Sequence, residues 1–324
     1  MAAVIDPASQ APIAGLVDLR ELRSGDLEDL LKEEIASWRG LLDWDFSGSA
    51  ELVLRFLDQR SLNGYALTEG SKVLGYAYFV QDEHKGLIGD LYVRRAQTSP
   101  DHERRLLTAV VDSLMRTPYI SRVETQLMMA GPGLDPLPAM RFVEGYDRSF
   151  MRIDLRTAAS FPAGSPEGLH FGIWEDWHQE SAARLIPEAY RGHIDSRIND
   201  QYDTVGGARR FLYNIVQYPG CGVFFKPASY VAHDLDTGAL AGLSLTSLVA
   251  PDVGHITQIC VAPSHRGVGL GYELLRRSLV ALQQANIRAA TLTVTTANHE
   301  AIRLYERMGF VTARSFRAFV WEGF

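Results

Sequence analysis

The sequence predicts a mixed α/β protein, of the α+β kind, made of two tandem copies of one unit. Two observations carry this. Apolar runs of strand length alternate with longer stretches of helical, 3.6-residue periodicity. The same series of elements then recurs at a fixed offset of 168 residues. GLIGDLYV (86–93) lies over GHITQICV (254–261), Leu106-Leu107 over Leu274-Leu275, and Leu114 over Leu282. Met140-Arg141-Phe142-Val143 lies over Met308-Gly309-Phe310-Val311. An ordered, ungapped series of strand, helix and strand over about sixty residues is the mark of an internal repeat.

In the second copy the elements follow one another clearly. A strand is predicted over 169–174 and a helix over 176–190, then a polar segment over 191–204 and a helix over about 207–217. Short strands are expected over 222–225 and 230–233, and a longer one over 240–249 after an Asp-Thr-Gly turn. A strand over 255–261 leads into a helix over about 269–285, then a strand over 290–295. The last helix, 299–308, has Asn298 as N-cap and Gly309 just past its end. Two strands, near 310–311 and over 314–321, close the chain.

The run RTAASFPAGSPE (156–167) has two prolines, a glycine and no periodicity, so it reads as the linker. The expected division is a flexible leader over 1–15, a first copy over 16–157, a linker over 158–165 and a second copy over 166–324.

Composition sets the broad class. The 324 residues suit two domains at about 150 residues each. The hydrophobic share of 46% and charged share of 22% are those of a globular protein with full cores. A net charge of −7 disfavours nucleic acid as a partner. Most of the acidic excess lies before residue 166, so the second copy is the better host for an anionic ligand. Cys221 and Cys260 give neither metal-ligand spacing nor a disulfide framework, and no metal is expected. The N-terminus lacks a basic region and carries Asp6 where a signal's apolar core would sit. The low-charge stretch 238–249 is too short to cross a bilayer and carries Ser and Thr. The expectation is a cytoplasmic protein with no membrane partner.

The stretch that carries chemistry is ICVAPSHRGVGLG (259–271). A strand ends at Val261, and a glycine-rich turn opens a long helix. Without Cβ atoms, Gly267, Gly269 and Gly271 let backbone N–H groups approach a ligand closely. The helix start adds unpaired donors and the positive end of its dipole, a setting for phosphate or pyrophosphate. Arg266 adds a positive charge at the rim. A P-loop would need Lys-Ser/Thr after the last glycine, where Tyr272 and Glu273 stand. A dinucleotide turn needs a different glycine spacing and an acidic residue on the next strand, and 290–295 has none.

The spacing Arg266-x-x-Gly269-x-Gly271 after a V-x-P strand end resembles the acyl-CoA loop of the GNAT acetyltransferase superfamily. The segment from Asn298 through Ala301, Leu304 and Tyr305 to Gly309-Phe310 resembles that family's N-x-x-A-x-x-L-Y-x-x-x-G-F segment. The two motifs stand in the family's order. The likeness covers the second copy and extends more weakly, through the repeat, to the first. The tandem arrangement resembles the superfamily's two-domain members.

The resemblance implies that each copy is a twisted mixed sheet flanked by helices, with central strands that splay to admit CoA. It implies that backbone groups around Ile259, Cys260 and Val261 pair with the pantetheine arm, and that N–H groups across Arg266, Gly267, Val268, Gly269, Leu270 and Gly271 hold the pyrophosphate. At the repeat offset the first copy has Thr98, Asp101 and Glu103 in place of Arg266, Gly269 and Gly271, and Ala130 and Leu137 in place of Asn298 and Tyr305. Two carboxylates would repel a pyrophosphate, so the first copy reads as a non-catalytic partner.

Each candidate side chain has a plainer alternative. The resemblance makes Tyr305 the acid that protonates the CoA thiolate, whereas its spacing with Ala301, Leu304 and Met308 also suits packing. His255 stands where many members carry a glutamate base, against a strand-end histidine or a water chain in that role. Alternation places Thr257 on the same side of the strand. Asn298 either bonds the cofactor's amide arm or only caps its helix. Cys260 points to the opposite face from His255 and has no base partner, which argues against a nucleophilic thiol. The segment 188–204, with Tyr190, His193 and Asp195, either lines the acceptor pocket and draws in a cationic amine or is a solvated loop.

The expected function is an acyl-CoA-dependent N-acyltransferase, with acetyl-CoA as donor and a primary amine of a small molecule or peptide as acceptor. The alternative is a non-catalytic acyl-CoA-binding or scaffold protein. Either would be a monomer or homodimer.

Overall fold

The structure is a computed structural model that describes residues 14–131, 134–158, 160–164, 166–218 and 222–324. Almost all of the expected leader, and Cys221, lie outside the described residues. Packing divides the chain into two compact units. The first holds residues up to Ser37, Ser49–Glu144 and Phe319–Phe324, and the second holds Trp38–Gly48 and Gly145–Ala318.

The first unit contains β1 (Gly15–Asp18), α1 (Ser24–Leu42) as far as Ser37, α2 (Ser47–Asp58) from Ser49, β2 (Asn63–Glu69), β3 (Lys72–Asp82), β4 (Lys85–Val93), α3 (Pro100–Met115) and β5 (Arg122–Gln126). Its strands lie in the order β1-β2-β3-β4-β5. All neighbours are antiparallel except β4 and β5. The apolar face of α3, with Leu106, Leu107, Val110, Val111 and Leu114, packs with Leu67, Ala77, Ile88 and Leu91 into one core.

The second unit contains β6 (Val143–Asp154) from Gly145, β7 (Leu169–Ile173), α4 (Gln179–Tyr190), α5 (Ile194–Ile198), α6 (Val205–Gln217) and β8 (Val223–Phe224). There follow β9 (Tyr230–Asp234), β10 (Leu240–Ala250), β11 (Val253–Val261), α7 (Leu270–Gln284), β12 (Ala289–Thr295), α8 (His299–Arg307) and β13 (Val311–Glu322) as far as Ala318. Strand order is β6-β12-β11-β10-β9-β7, with β8 beside β10. In that order β11 and β12 pair in parallel and the other neighbours antiparallel. Helix α7 packs with β12 and α8 around Leu275, Leu279, Leu282, Leu292 and Phe310. Helices α4 and α6 form a second core with Trp174, Val231, Leu243 and Cys260.

The repeat seen in the sequence is a repeat of structure. At the offset of 168, β3, β4 and β6 fall on β10, β11 and β13 with the same bounds. A glycine recurs at Gly86 and Gly254 because the close approach of a leucine side chain leaves no room for more. A Cβ on Gly86 would stand 2.4 Å from Leu114, and one on Gly254 would stand 2.7 Å from Leu282. These are the residues that align in the repeat.

Two features differ from the sequence reading. The end of the chain is one strand, β13, rather than two. The units also do not follow the repeat boundary. Strand β6 reads as the end of the first copy, yet residues 148–154 pair antiparallel with all of β12, from Arg148↔Thr295 to Asp154↔Ala289. Met151, Ile153 and Leu155 therefore belong to the core around α7. The turn after α1 joins the same unit. Asp43 pairs with Arg152 at 2.6 Å and Arg288 at 3.1 Å, and the Asp45 N–H donates to the Val249 carbonyl. The linker is tied down as well: the Glu273 carboxylate accepts from the Gly164 N–H, and the Tyr272 hydroxyl donates to the Pro162 carbonyl.

Truncating a buried isoleucine costs about 2–5 kcal/mol. Ile153→Ala, although it precedes the linker, is therefore expected to destabilise the unit that holds α7 by that amount in denaturant melts. A fragment over 166–324, deprived of β6, is expected to show no cooperative melt. A fragment that melts like the whole chain would contradict this pairing.

Candidate functional site

The site is built around a break in the sheet. Leu245 of β10 faces Gln258, but Thr246 faces Ile256, so Thr257 is an extra residue, a β-bulge. Strand β11 pairs with β12 only from Val253↔Ala289 to Ile256↔Leu292. Past that point β11 runs on to Val261 and β12 to Thr295 with no register between them, so the two strands diverge.

The diverging edge of β11 presents backbone groups. The Ala262 N–H donates to the Ala241 carbonyl at 2.8 Å. Alternation along an antiparallel ladder then turns the Cys260 peptide groups toward β10 and those of Ile259 and Val261 away from it. The Tyr190 hydroxyl, at 3.4 Å from the Ile259 carbonyl and donating to it, sits on that outward side.

The glycine loop follows directly. Pro263–His265 form a single tight turn, and α7 begins at Leu270 with Gly269 as its N-cap. Gly267 and Gly269 have φ of +79° and +86°. A Cβ on either would meet nothing within 4 Å. Their backbone angles, not lack of space, exclude other residues. No side chain caps α7, so its first N–H groups face outward with the helix dipole behind them. Val268 is exposed, Leu270 is buried, and Gly271 lies over Val261. Arg266 is not a loose charge on the rim: its Nη2 donates to the Ala189 carbonyl at 2.5 Å and clamps the loop to the end of α4.

The corresponding loop of the first unit has the same form and the opposite chemistry. The bulge recurs at Gly89, and β4–β5 pairing stops at Ile88↔Thr125. Ser99, however, caps α3 by accepting the His102 N–H, and the buried Glu103 carboxylate accepts the Gly131 N–H.

At the other side of the second unit's opening, the segment after α4 is a packed polar cluster rather than a solvated loop. His193 caps α5: its Nδ1 accepts the Asp195 N–H. Its Nε2 lies 3.2 Å from the Asn298 side-chain nitrogen. Asn298 caps α8 in turn by accepting the Ala301 N–H. The Asp195 carboxylate accepts the Thr295 hydroxyl and stands 4.0 Å from the Arg148 guanidinium. Tyr190 stacks on Tyr202 at 4.4 Å, and Gln258 bonds both hydroxyls. Tyr305 on α8 is buried. Burial, and then the Asp195 charge, hold its phenol well above the usual range, so it is protonated at neutral pH.

The structure thus brings together Tyr190, His193, Asp195, Asn298 and Tyr305. Sequence reasoning missed Gln258, Thr295 and Arg148. Thr295 and Gln258 sit inside ordinary strand patterns, and Arg148 lies in what reads as the other copy.

Three candidates stand elsewhere. His255 is enclosed by Trp44 and Phe150, with ring centroids at 5.1 and 6.1 Å, and its Nδ1 lies 2.8 Å from the Thr291 hydroxyl. Burial pushes it down to about 4, so it is neutral at physiological pH and a weak base. The bulge breaks the alternation that was expected to align it with Thr257, whose hydroxyl meets Ser247 instead. Cys260 packs between α4 and the sheet, and burial pushes its thiol up to about 12. Among the described residues, no three His, Cys, Asp or Glu side chains are grouped to hold a metal, and no helix is long and apolar enough to cross a membrane.

Residues 195–310 match the family model described as the acetyltransferase (GNAT) family. The mycothiol acetyltransferase of Acidimicrobium ferrooxidans is 35% identical over 284 residues, which is 82% of this chain and 84% of that protein. That of Thermomonospora curvata is 27% identical over 271 residues, covering 82% and 83%. Among solved structures, a GCN5-related N-acetyltransferase from Sphaerobacter thermophilus superposes with a TM-score of 0.66 at 18% identity, covering 95% of each chain. A tandem GNAT protein from the clavulanic acid biosynthesis pathway gives 0.55 at 18% identity, covering 95% of this chain and 98% of that one. The last two show likeness of fold.

The burial of His255 has a pH signature. Its folded-state value lies below the ordinary 6.5, so the unfolded chain takes up a proton that the folded one resists. This stability is fully present above about pH 6.5 and is lost as pH falls toward 4, amounting to about 3 kcal/mol. His178 and His233 shift in the same direction, chiefly from burial. Denaturant melts of His255→Gln are therefore expected to lose part of the acid sensitivity between pH 6.5 and 4. An unchanged pH dependence would mean that the imidazole is not enclosed.

Proposed function

The chain belongs to the GNAT family of acetyltransferases, and on that premise we propose that its second unit moves an acetyl group from acetyl-CoA to a primary amine of a small molecule or peptide. The observation that carries this is the open edge of β11 beside an uncapped, glycine-started helix. The outward peptide groups of Ile259 and Val261 suit an extended amide arm added like a strand. The N–H groups from Gly267 to Gly271 at the start of α7 suit a pyrophosphate. Val268 and Leu270 shape that turn, Arg266 holds it to α4, and Cys260 fixes β11 against β10 and the α4–α6 core.

In the reaction the amine nitrogen attacks the thioester carbonyl carbon. The C–N bond forms, the C–S bond breaks, and the sulfur leaves as a thiolate that takes a proton from Tyr305. The nitrogen's surplus proton passes to solvent, which then restores the phenol. Holding the two reactants side by side supplies the proximity term. Tyr305 suits the acid role because burial beside a carboxylate keeps its phenol protonated at neutral pH, so that it has a proton to offer the departing sulfur. His255 is assigned to the core, and Thr257 to the bulge that parts the strands. His193 and Asn298 brace the opening, and Tyr190 and Asp195 face the acceptor side.

The first unit is proposed to bind no acetyl-CoA, since Ser99 already takes an N–H at the start of α3 and a buried Glu103 stands where the second unit has Gly271. Because relatives that align over most of their length carry the name mycothiol acetyltransferase, small thiol-bearing amines are the first acceptors to assay.

The test is CoA release from acetyl-CoA across an amine panel. Tyr305→Phe is expected to lower kcat by about 10²–10⁴-fold with little change in CoA affinity. His255→Gln is expected to stay within about threefold of the parent, because a general base would carry a far larger factor. A loss below about threefold for Tyr305→Phe would return that residue to packing. Tight acetyl-CoA binding without turnover on any amine would replace the enzyme by an acyl-CoA-binding protein.

A further inference from the structure

The first unit buries ionisable groups that the reaction above does not use. On α1, Leu27, Leu30 and Leu31 form an apolar stripe at helical spacing, and Glu34 continues it seven, four and three residues on. The fold therefore buries Glu34 completely. Facing it, β3 and β4 set Tyr76 against Tyr92 and Tyr78 against Asp90. Asp90 is only 6% exposed. The Tyr76 hydroxyl donates to Glu34 Oε2 at 2.9 Å, and the Asp90 carboxyl is hydrogen-bonded to that of Glu34. The Leu91 N–H donates to Asp90 Oδ1 at 2.7 Å, while Asp90 Oδ2 is buried with no hydrogen-bond partner among the described residues.

Ionised carboxylates only accept, so a hydrogen bond between two of them requires a proton on one. The groups that face the pair are phenols and a further carboxylate: Tyr76 and Tyr78 from β3, Tyr92 from β4 and Glu33 from α1. Arg94 is taken by Glu33 and the Val73 carbonyl, and Asp90 meets no Lys, Arg or His among the described residues. Burial holds Asp90 above the usual carboxylate range. We propose that Glu34 and Asp90 are a proton-held latch that fastens α1 to β3 and β4 and releases it as pH rises. With the proton in place, the pair is one closed carboxyl–carboxylate bond. Without it, two negative charges share a site that water does not reach, and one Asp90 oxygen has nothing to bond. Lifting α1 hydrates both. At the repeat offset Asp90 corresponds to Gln258, a neutral amide that bonds two tyrosine hydroxyls, so the titrating device belongs to the first unit. The latch does not rest on the acetyl-transfer reading.

The sign follows from proton counts. Above about pH 5 an opened pair has lost both protons, since ordinary carboxylates titrate near 4. The closed pair still holds one. Each further pH unit therefore weakens the closed state by about tenfold, until pH passes the pair's own folded value and the loss levels off. This stability is fully present below the ordinary carboxylate range and is lost as pH rises, the reverse of the histidine-driven sensitivity of the second unit.

The experiment is hydrogen exchange of the full chain from about pH 5 to 9, read over residues 27–37 of α1 as protection relative to the intrinsic rate. The parent is expected to lose protection there by about tenfold per pH unit over at least one unit of that range. Asp90→Asn keeps the shape and offers Glu34 an amide N–H with no proton to lose, so its protection is expected to change by less than about threefold across the range. Glu34→Gln is expected to behave alike, and it serves if the asparagine variant does not fold, as judged by melting. Residues 270–284 of α7 supply the control and are expected not to follow the parent's loss. Protection over α1 that does not fall with pH in the parent, or a fall kept by a folded variant, would overturn the proposal. An equal fall over α7 would mark alkaline unfolding of the whole chain and overturn it as well.

Discussion

The parting of β11 from β12 is the constraint on which the rest of the second unit depends. Two parallel strands that separate after Ile256 and Leu292 leave peptide groups of Ile259 and Val261 without a ladder. Backbone donors and acceptors must be satisfied somewhere. The Tyr190 hydroxyl takes one of them, and the remaining edge is the feature that suits an amide-rich arm. The bulge at Thr257 bends β11 away, and the sharp turn at Pro263 brings α7 round so that its uncapped N-terminus lies just beyond the open edge. The glycine loop has meaning only because the strand before it is free on one side.

The first unit shows that the geometry and the chemistry are separable. It keeps the bulge, the short parallel pairing and the helix that follows. What differs is the turn: Ser99 caps α3 by accepting the His102 N–H where α7 has no side-chain cap, and the buried Glu103, its carboxylate on the Gly131 N–H, stands at the position of Gly271. Burial of apolar surface, with α3 and α7 using equivalent leucines, holds the two frames alike.

Much of this was legible in the sequence because it is local. The repeat, the strand before the glycine loop, the bounds of α7 and the Asn298 cap all follow from periodicity and capping residues a few positions apart. What was not legible depends on partners far along the chain. His255 reads as a strand-end base until Trp44, some two hundred residues earlier, and Phe150 close around it. Residues 191–204 read as an acidic loop because nothing local shows that Asp195 is bonded to Thr295 or that His193 meets Asn298. Strand β6 reads as the end of the first copy, since strand pairing is set by register and burial across the sheet and not by position in a repeat.

The central claim is that acetyl-CoA lies along the parted edge of β11 and at the start of α7, and not at the matching place in the first unit. Backbone hydrogen exchange with and without CoA tests it most directly. The account predicts slowed exchange over 257–271 and none over 89–103, although the two stretches fold alike. Protection of both stretches, or of the first alone, would contradict it.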